Sequence, residues 1–243
     1  MRTSHKEMRR KINAEVSKIT DEELFSSAAF AAYLTDIAEA VTKRYKRKLR
    51  VETIYDTSEN VMIACTNNRN ILINTGNYIS WSMPYRKLKA ESILGLVGHE
   101  VGHMLFTNFR ISETYFSELS YGRLYPQMEL SEEEQESFTE VTDYFKTGTE
   151  AQKQAILKAA KLLLNILEDA YIEARICDRY TGRFATGIHL NNIRFTEMMP
   201  SVTEQLTNGC YRFSVFCNLL NQYCRSGDIN NRDGYAGELL DLF

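Results

Sequence analysis

The sequence lacks the features that anchor or export a protein. It has no apolar run of about 18 residues, the length that a membrane-spanning helix needs. Its N-terminal segment, residues 1–11, is basic but lacks the apolar stretch of a signal peptide. The five cysteines are an odd number without short paired spacing, which argues against a disulfide framework and suits a reducing compartment. We therefore expect a cytoplasmic protein with no membrane partner.

An excess of charge of one sign is also absent. The chain has 29 lysines and arginines against 32 aspartates and glutamates, so its composition does not indicate a nucleic-acid-binding protein. The strongest basic run is residues 43–50, with six cations in eight residues. Together with Arg9, Arg10 and Lys11, this run could form a patch for nucleic acid or an acidic partner. A solvated helix end is the favoured interpretation, because cations are stabilising at a helix C-terminus.

Histidine is scarce, yet two of the four histidines lie in one short segment, His99-Glu-Val-Gly-His103. Residues 86–106 contain no proline and carry apolar residues at helical spacing, which predicts a buried helix. In a helix, positions i and i+4 lie on one face, so both imidazoles can bind one metal ion. Glu100 projects beside that face, where a carboxylate can deprotonate a metal-activated water.

Three glycines interrupt this predicted helix at residues 95, 98 and 102. Each weakens a helix by roughly 1 kcal/mol relative to alanine. We expect such glycines where another backbone or a substrate approaches the helix closely.

A catalytic zinc ion needs a third protein ligand and one open position. Residues 162–177 form a second predicted helix with three carboxylates, Glu168, Asp169 and Glu173. Asp169 and Glu173 fall near one edge of its apolar stripe, and Glu168 falls on the other flank. The centre of that stripe is predicted to lie near Leu163, Leu167, Ala170 and Ala174.

Two sequence blocks, GHEVGHMLFTNFR and NILEDAYIEARI, together resemble the zincin metallopeptidases of the gluzincin type. They are similar to the metallopeptidase-like segment that precedes a von Willebrand A domain in cobalt-chelatase-subunit-like and mobile-element proteins. The resemblance implies a zincin-like fold, a Zn²⁺ cofactor and a peptide or protein substrate. It also implies a von Willebrand A domain or an ATPase as partner. It assigns His99 and His103 as zinc ligands and Glu100 as the general base.

The third ligand implied by the resemblance is an acid of the second helix. Gluzincins commonly have a ligand glutamate followed four residues later by a second acid. Glu168 fits this pattern by residue type, whereas Asp169 fits it by spacing, because Glu173 follows four residues on. Both alternatives stay open. In this reading Glu173 does not bind the metal but orients one of the histidines.

Peptide hydrolysis at such a site needs a proton carrier and a donor to the tetrahedral oxyanion. Glu100 would take a proton from a zinc-activated water and return it to the leaving nitrogen. Candidate oxyanion donors follow from residue type alone. They are His189, in a predicted loop, and Tyr171, Tyr115 and Tyr121.

The rest of the chain predicts one mainly helical α+β domain over residues 1–243. A long helix is expected over residues 21–46, and residues 108–148 resemble an insertion. Residues 73–80 could supply an edge strand that pairs with a substrate backbone. Three short apolar stretches predict a small antiparallel meander before the metal helix: residues 51–55, 61–65 and 70–74.

Local signals also predict how the later helices begin. Ser131 with Glu134, and Thr149 with Gln152, match the capping-box pattern. A last helix is expected over residues 202–223. Three cysteines that recur every seven residues in this region are expected to form a buried stripe rather than a metal site, since neighbours on one helix lie ~10 Å apart: Cys210, Cys217 and Cys224.

Two other functions compete with a peptidase. One is a catalytically silent module that keeps zinc for structure and assembles with a larger von Willebrand A-type machine. The other is a DNA-associated protein that uses the basic run. No von Willebrand A domain is visible in the sequence, so we expect these 243 residues to be a fragment of a longer chain.

Overall fold

The computed structural model describes residues 4–46, 48–58 and 61–230. The fold is α+β and consists mainly of helices, with one small sheet. In chain order the elements are α1 (His5–Val16), α2 (Asp21–Phe25), α3 (Ala28–Thr42), β1 (Arg50–Ile54), β2 (Ala64–Thr66), β3 (Asn70–Asn74), α4 (Tyr78–Trp81), α5 (Arg86–Phe106), α6 (Phe109–Ser120), α7 (Glu132–Thr147), α8 (Glu150–Arg179), α9 (Arg183–Met198), α10 (Val202–Thr207) and α11 (Arg212–Ser226). Among the described residues, no helix is long and apolar enough to cross a membrane.

The chain divides into two compact units. The first unit contains the described parts of Met1–Leu105 and Glu173–Met198, and the second contains those of Phe106–Ile172 and Met199–Phe243. The single continuous helix α8 passes from the second unit into the first. The expectation of one domain over residues 1–243 stays a prediction.

The prediction of one helix over residues 21–46 is wrong, because the helix is interrupted at Ser26 and Ser27. α2 begins with a capping box between Thr20 and Glu23, and it ends at Phe25. Ser27 then caps α3, since its hydroxyl accepts a hydrogen bond from the Phe30 amide. Serine hydroxyls compete with helical backbone bonds and favour caps, which explains the interruption. α3 ends at Thr42, and Lys43 follows it in the left-handed conformation, at φ 57°.

The sheet of the first unit is mixed, so the predicted antiparallel meander is wrong. β3 lies in the centre, where it pairs parallel with β1 and antiparallel with β2. Only three residues separate β2 from β3, and Asn68 takes the positive φ that a tight hairpin needs. Nine residues, 55–63, separate β1 from β2, which lets β2 reach the far edge of β3.

β3 is central because it is the most buried strand, with Ile71 and Ile73 fully buried. Residues 73–80 therefore do not supply an edge strand, since β3 is paired on both sides and the chain enters α4 at Tyr78. The edges of this sheet are β1 and β2.

The predicted helix over residues 86–106 is confirmed as α5, and its glycines meet α9. A Cβ atom on Gly95 would lie 2.7 Å from the Ile188 amide nitrogen, and one on Gly98 would lie 2.9 Å from Cγ of Phe184. A Cβ atom on Gly187 would in turn lie 2.6 Å from the Gly95 nitrogen. The backbones of α5 and α9 therefore touch, which is why glycine is needed at this crossing.

In the second unit, the capping signals are confirmed. Ser131 and Glu134 cap α7 reciprocally, and the Thr149 amide donates to Gln152 before α8. The helix predicted over residues 202–223 is wrong in one respect, because it divides into α10 and α11 around Gly209, at φ 76°.

The predicted stripe of three buried cysteines is also wrong. Cys210 lies in the break between α10 and α11 and is exposed, whereas Cys217 is buried and Cys224 is half-buried. The buried face of α11 is instead formed by Val215, Cys217 and Leu219.

Candidate metal centre

The candidate site begins with the two histidines of α5. His99 and His103 lie one helical turn apart, and their Nε2 atoms are 3.2 Å from each other. The rings meet edge to face, with centroids 4.8 Å apart. Both Nε2 atoms therefore point at the same small volume beside α5.

This separation matches two ligands of one metal ion. Two imidazole nitrogens at about 2.05 Å from a tetrahedral zinc ion lie about 3.3 Å from each other. Without a metal ion, two neutral imidazoles at this distance need a proton on one Nε2 atom, because two lone pairs would otherwise face each other. Imidazole nitrogen is a ligand for several transition metals, including zinc, copper, iron and nickel, so the pair suits an ion of this group.

Glu173 of α8 fixes the orientation of His99. Its Oε1 atom lies 2.8 Å from Nδ1 of His99, and the Glu173 side chain is only 8% exposed. Since a carboxylate accepts hydrogen bonds, the imidazole donates from Nδ1, which leaves the lone pair of Nε2 for a metal. The other oxygen, Oε2, accepts a hydrogen bond of 2.7 Å from Nδ2 of Asn192 on α9.

Asp169 lies one turn before Glu173 on the same face of the continuous helix α8. Glu173 contacts His99, so Asp169 is the acid of α8 that shares a face with a residue of this centre. Asp169 also accepts a hydrogen bond of 2.6 Å from Arg225 through Oδ2. Glu168 points about 100° away from Asp169, so it does not share the face of Glu173.

The buried face of α8 differs from the predicted one. Leu167 is 52% exposed, and Ala174 is exposed, so the stripe centred on Leu163, Leu167, Ala170 and Ala174 is wrong. The helix instead buries Ile166, Ile172, Glu173 and Ile176. Burial of an acid on this face is compensated by its hydrogen bonds to His99 and Asn192.

Glu100 is 4% exposed and follows His99 in the buried part of α5. Burial and the negative charge of Glu100 both raise the pKa of the Cys65 thiol on β2.

The structure shows where each predicted oxyanion donor lies. His189 is on α9 rather than in a loop, and it is exposed; apolar residues at helical spacing, such as Phe184 and Ile188, continue through this segment. Tyr171 is 53% exposed on α8. Tyr115 meets the ring of Phe116, and Tyr121 lies 5.1 Å from the Arg123 guanidinium. These contacts assign none of the four to the oxyanion role, which stays a prediction.

Two buried asparagines of α9 were missed by sequence reasoning. Asn191 and Asn192 are 6% and 5% exposed, and both make side-chain hydrogen bonds in the interior. The signal was a pair of polar residues in a segment with apolar residues at helical spacing. A loop around His189 gives no reason to expect Asn191 and Asn192 in the interior, whereas a helix with a buried face does.

Neither the models of known protein families, nor the curated proteins, nor the solved structures contain a match to this chain. The function of the chain is therefore inferred from the geometry of this centre.

Proposed function

We propose that the protein is a zinc-dependent metallopeptidase. The observation that carries the proposal is the pair of Nε2 atoms of His99 and His103, 3.2 Å apart beside α5, with the Glu173 carboxylate 2.8 Å from Nδ1 of His99. Two imidazoles and one carboxylate are the ligand set of several catalytic zinc sites, which leave one position open. His99, His103 and Asp169 would hold the ion.

A zinc ion held there would lower the pKa of a water molecule to about 7 and polarise a peptide carbonyl. Glu100 is the residue of this chain that would move the proton, since it follows the first ligand in the sequence and is buried. It would accept the proton from the attacking water and deliver it to the leaving nitrogen. Glu173 would keep His99 in the tautomer that presents Nε2.

The proposed substrate would bind along β2. Among the described residues, β2 pairs with β3 alone, so one of its backbone edges is open to strand addition. Glu100 is close enough to β2 to influence the pKa of Cys65, which supports this edge as the place where an extended peptide meets the general base. Only a short peptide stretch would pair, because β2 spans three residues.

The test compares Glu100→Gln with wild type on a broad peptide library, with the zinc content of both measured. Glutamine keeps the size of the side chain but is not a base, so hydrolysis should fall about 100- to 10,000-fold while zinc stays bound. Glu113→Gln, at an exposed position of α6, is the matched control and should keep full activity. Full activity of zinc-loaded Glu100→Gln would contradict the proposal.

A second candidate is a zinc-holding assembly module, such as a partner of a von Willebrand A domain or an ATPase. The observation in its favour is α1, a helix with no buried residue that exposes Met8, Ile12 and Val16 at four-residue intervals. Such a stripe suits contact with another helix. A zinc-loaded wild type that cleaves no peptide would favour this candidate over the peptidase.

A further inference from the structure

α9 connects the metal helix α5 to the acid that orients its histidine. Three contacts between α5 and α9 follow one another in opposite chain directions: Gly98 with Phe184, Gly95 with Gly187, and Ser92 with Asn191. The glycine contacts bring the two backbones together, and the polar contact then fixes how far one helix is shifted along the other.

The polar contact belongs to a buried chain of hydrogen bonds in which the donor of each bond is determined. Ser92 donates its hydroxyl proton to Oδ1 of Asn191 over 2.6 Å, and Nδ2 of Asn191 returns a bond of 2.9 Å to the Ser92 carbonyl. Because that proton is used, the bond of 2.7 Å between Ser92 and Ser80 must be donated by Ser80. Ser80 in turn accepts from Asn77 over 3.0 Å. Asn191 is therefore fixed on both sides of its amide.

The next residue, Asn192, makes the contact to the candidate site. Its Nδ2 donates to Oε2 of Glu173, while Oε1 of the same carboxylate faces Nδ1 of His99. Both oxygens of Glu173 thus have a partner in a position where an unpaired carboxylate would be costly. An amide suits this place, since it orients the carboxylate without the positive charge of a lysine or arginine, which would compete with His99 for it.

We infer that Asn192 is a positioning residue of the metal centre, which acts through Glu173 on His99. This inference rests on the proposed function, because it concerns the ligand that a zinc ion would use. Without the Asn192 amide, the Glu173 carboxylate can rotate away from Nδ1, and His99 then loses the partner that selects the Nδ1–H tautomer.

The first test is a double-mutant cycle on zinc affinity, measured by chelator competition. Asn192→Ala should weaken zinc binding about 10-fold, and Glu173→Ala about 10- to 100-fold. If Asn192 acts through Glu173, the double variant should bind zinc within about twofold of Glu173→Ala alone. A merely structural role would make the two losses multiply, and that outcome would overturn the inference.

The second test needs neither metal nor activity. Ring ¹⁵N chemical shifts of His99 in the metal-free protein, at a pH where the imidazole is neutral, report which nitrogen carries the proton. Wild type should be the Nδ1–H tautomer, and Asn192→Ala should be a mixture of both tautomers. Asn191→Ala is the matched control, which loses the neighbouring amide; it should lower thermal stability and leave the tautomer unchanged.

The two tests separate this inference from the proposed function. Should wild type bind no zinc, the metallopeptidase proposal fails, while the tautomer of Asn192→Ala still decides the role of Asn192. A pure Nδ1–H tautomer in Asn192→Ala would reject that role even if the protein proved to be an active peptidase.

Discussion

At the residue scale, the candidate site depends on which of two neighbouring acids faces the histidines. Consecutive residues of a helix point about 100° apart, so Glu168 and Asp169 cannot occupy the same place. Asp169 shares its face of α8 with Glu173, whose carboxylate contacts His99, and this favours Asp169 as the proposed third ligand. Sequence reasoning left this choice open, because residue type favoured one acid and spacing favoured the other.

The choice gives a direct prediction for two matched variants. Asp169→Asn should weaken zinc binding by more than the roughly 10- to 100-fold that loss of an outer partner costs, since it removes the proposed charged ligand. Glu168→Gln makes the same chemical change one residue away and should keep near wild-type affinity. Chelator competition with both purified variants measures this. Equal losses, or a larger loss for Glu168→Gln, would contradict the proposed ligand set.

At the element scale, the sequence predicted helix bounds and caps better than it predicted the pairing of strands. The bounds of α5 and the caps of α7 and α8 followed from residues within a few positions of each other. The sheet did not, since β1 pairs with β3 across a longer stretch of chain and no local residue encodes that choice. The glycines of α5 predicted a close approach, but only the structure identifies α9 as the helix that makes it.

This crossing predicts different effects on stability for two glycine variants. Gly187→Ala should destabilise the protein by about 1–3 kcal/mol, because the new methyl group would press on the backbone of α5 at Gly95. Gly182→Ala is the control just before α9, where a Cβ atom would meet nothing within 4 Å. It should be neutral or slightly stabilising. Urea denaturation compares their free energies of unfolding, and a Gly187→Ala variant as stable as wild type would refute the close contact.

At the scale of the whole molecule, the candidate site joins residues that are far apart in the sequence. His99 and Glu100 were predictable, because a five-residue pattern carries them. Glu173 and Asn192 come from two later helices, and their hydrogen bonds exist only once those helices pack beside α5. A single sequence shows which residues have suitable chemistry, whereas the pairing of a buried acid with a particular amide is a property of the tertiary fold.

Charge is the other property that belongs to the whole molecule, and it bears on the DNA-associated alternative. The basic run over residues 43–50 follows the end of α3, and the net charge of the chain is −3. Within the run, Arg44 donates to Asn68, and Arg50 lies 3.7 Å from Glu52, so these two cations already have partners inside the protein. Arg47 lies outside the described residues. The exposed lysines at positions 43, 46 and 48 are those best placed to meet a phosphate backbone.

We predict that this run is not a specific nucleic-acid site. Lysine contacts with phosphate release counterions, so any binding should be weak and fall steeply as salt rises. Fluorescence anisotropy with labelled duplex DNA should show a dissociation constant no tighter than about 1 µM at physiological salt, in the range of non-specific binding. The triple variant Lys43→Ala, Lys46→Ala and Lys48→Ala should weaken this binding further and reduce its salt dependence, to the same degree for every DNA sequence. Sub-micromolar affinity at physiological salt that disappears in the triple variant would refute the prediction and make the basic run, rather than the metal centre, the first site to study.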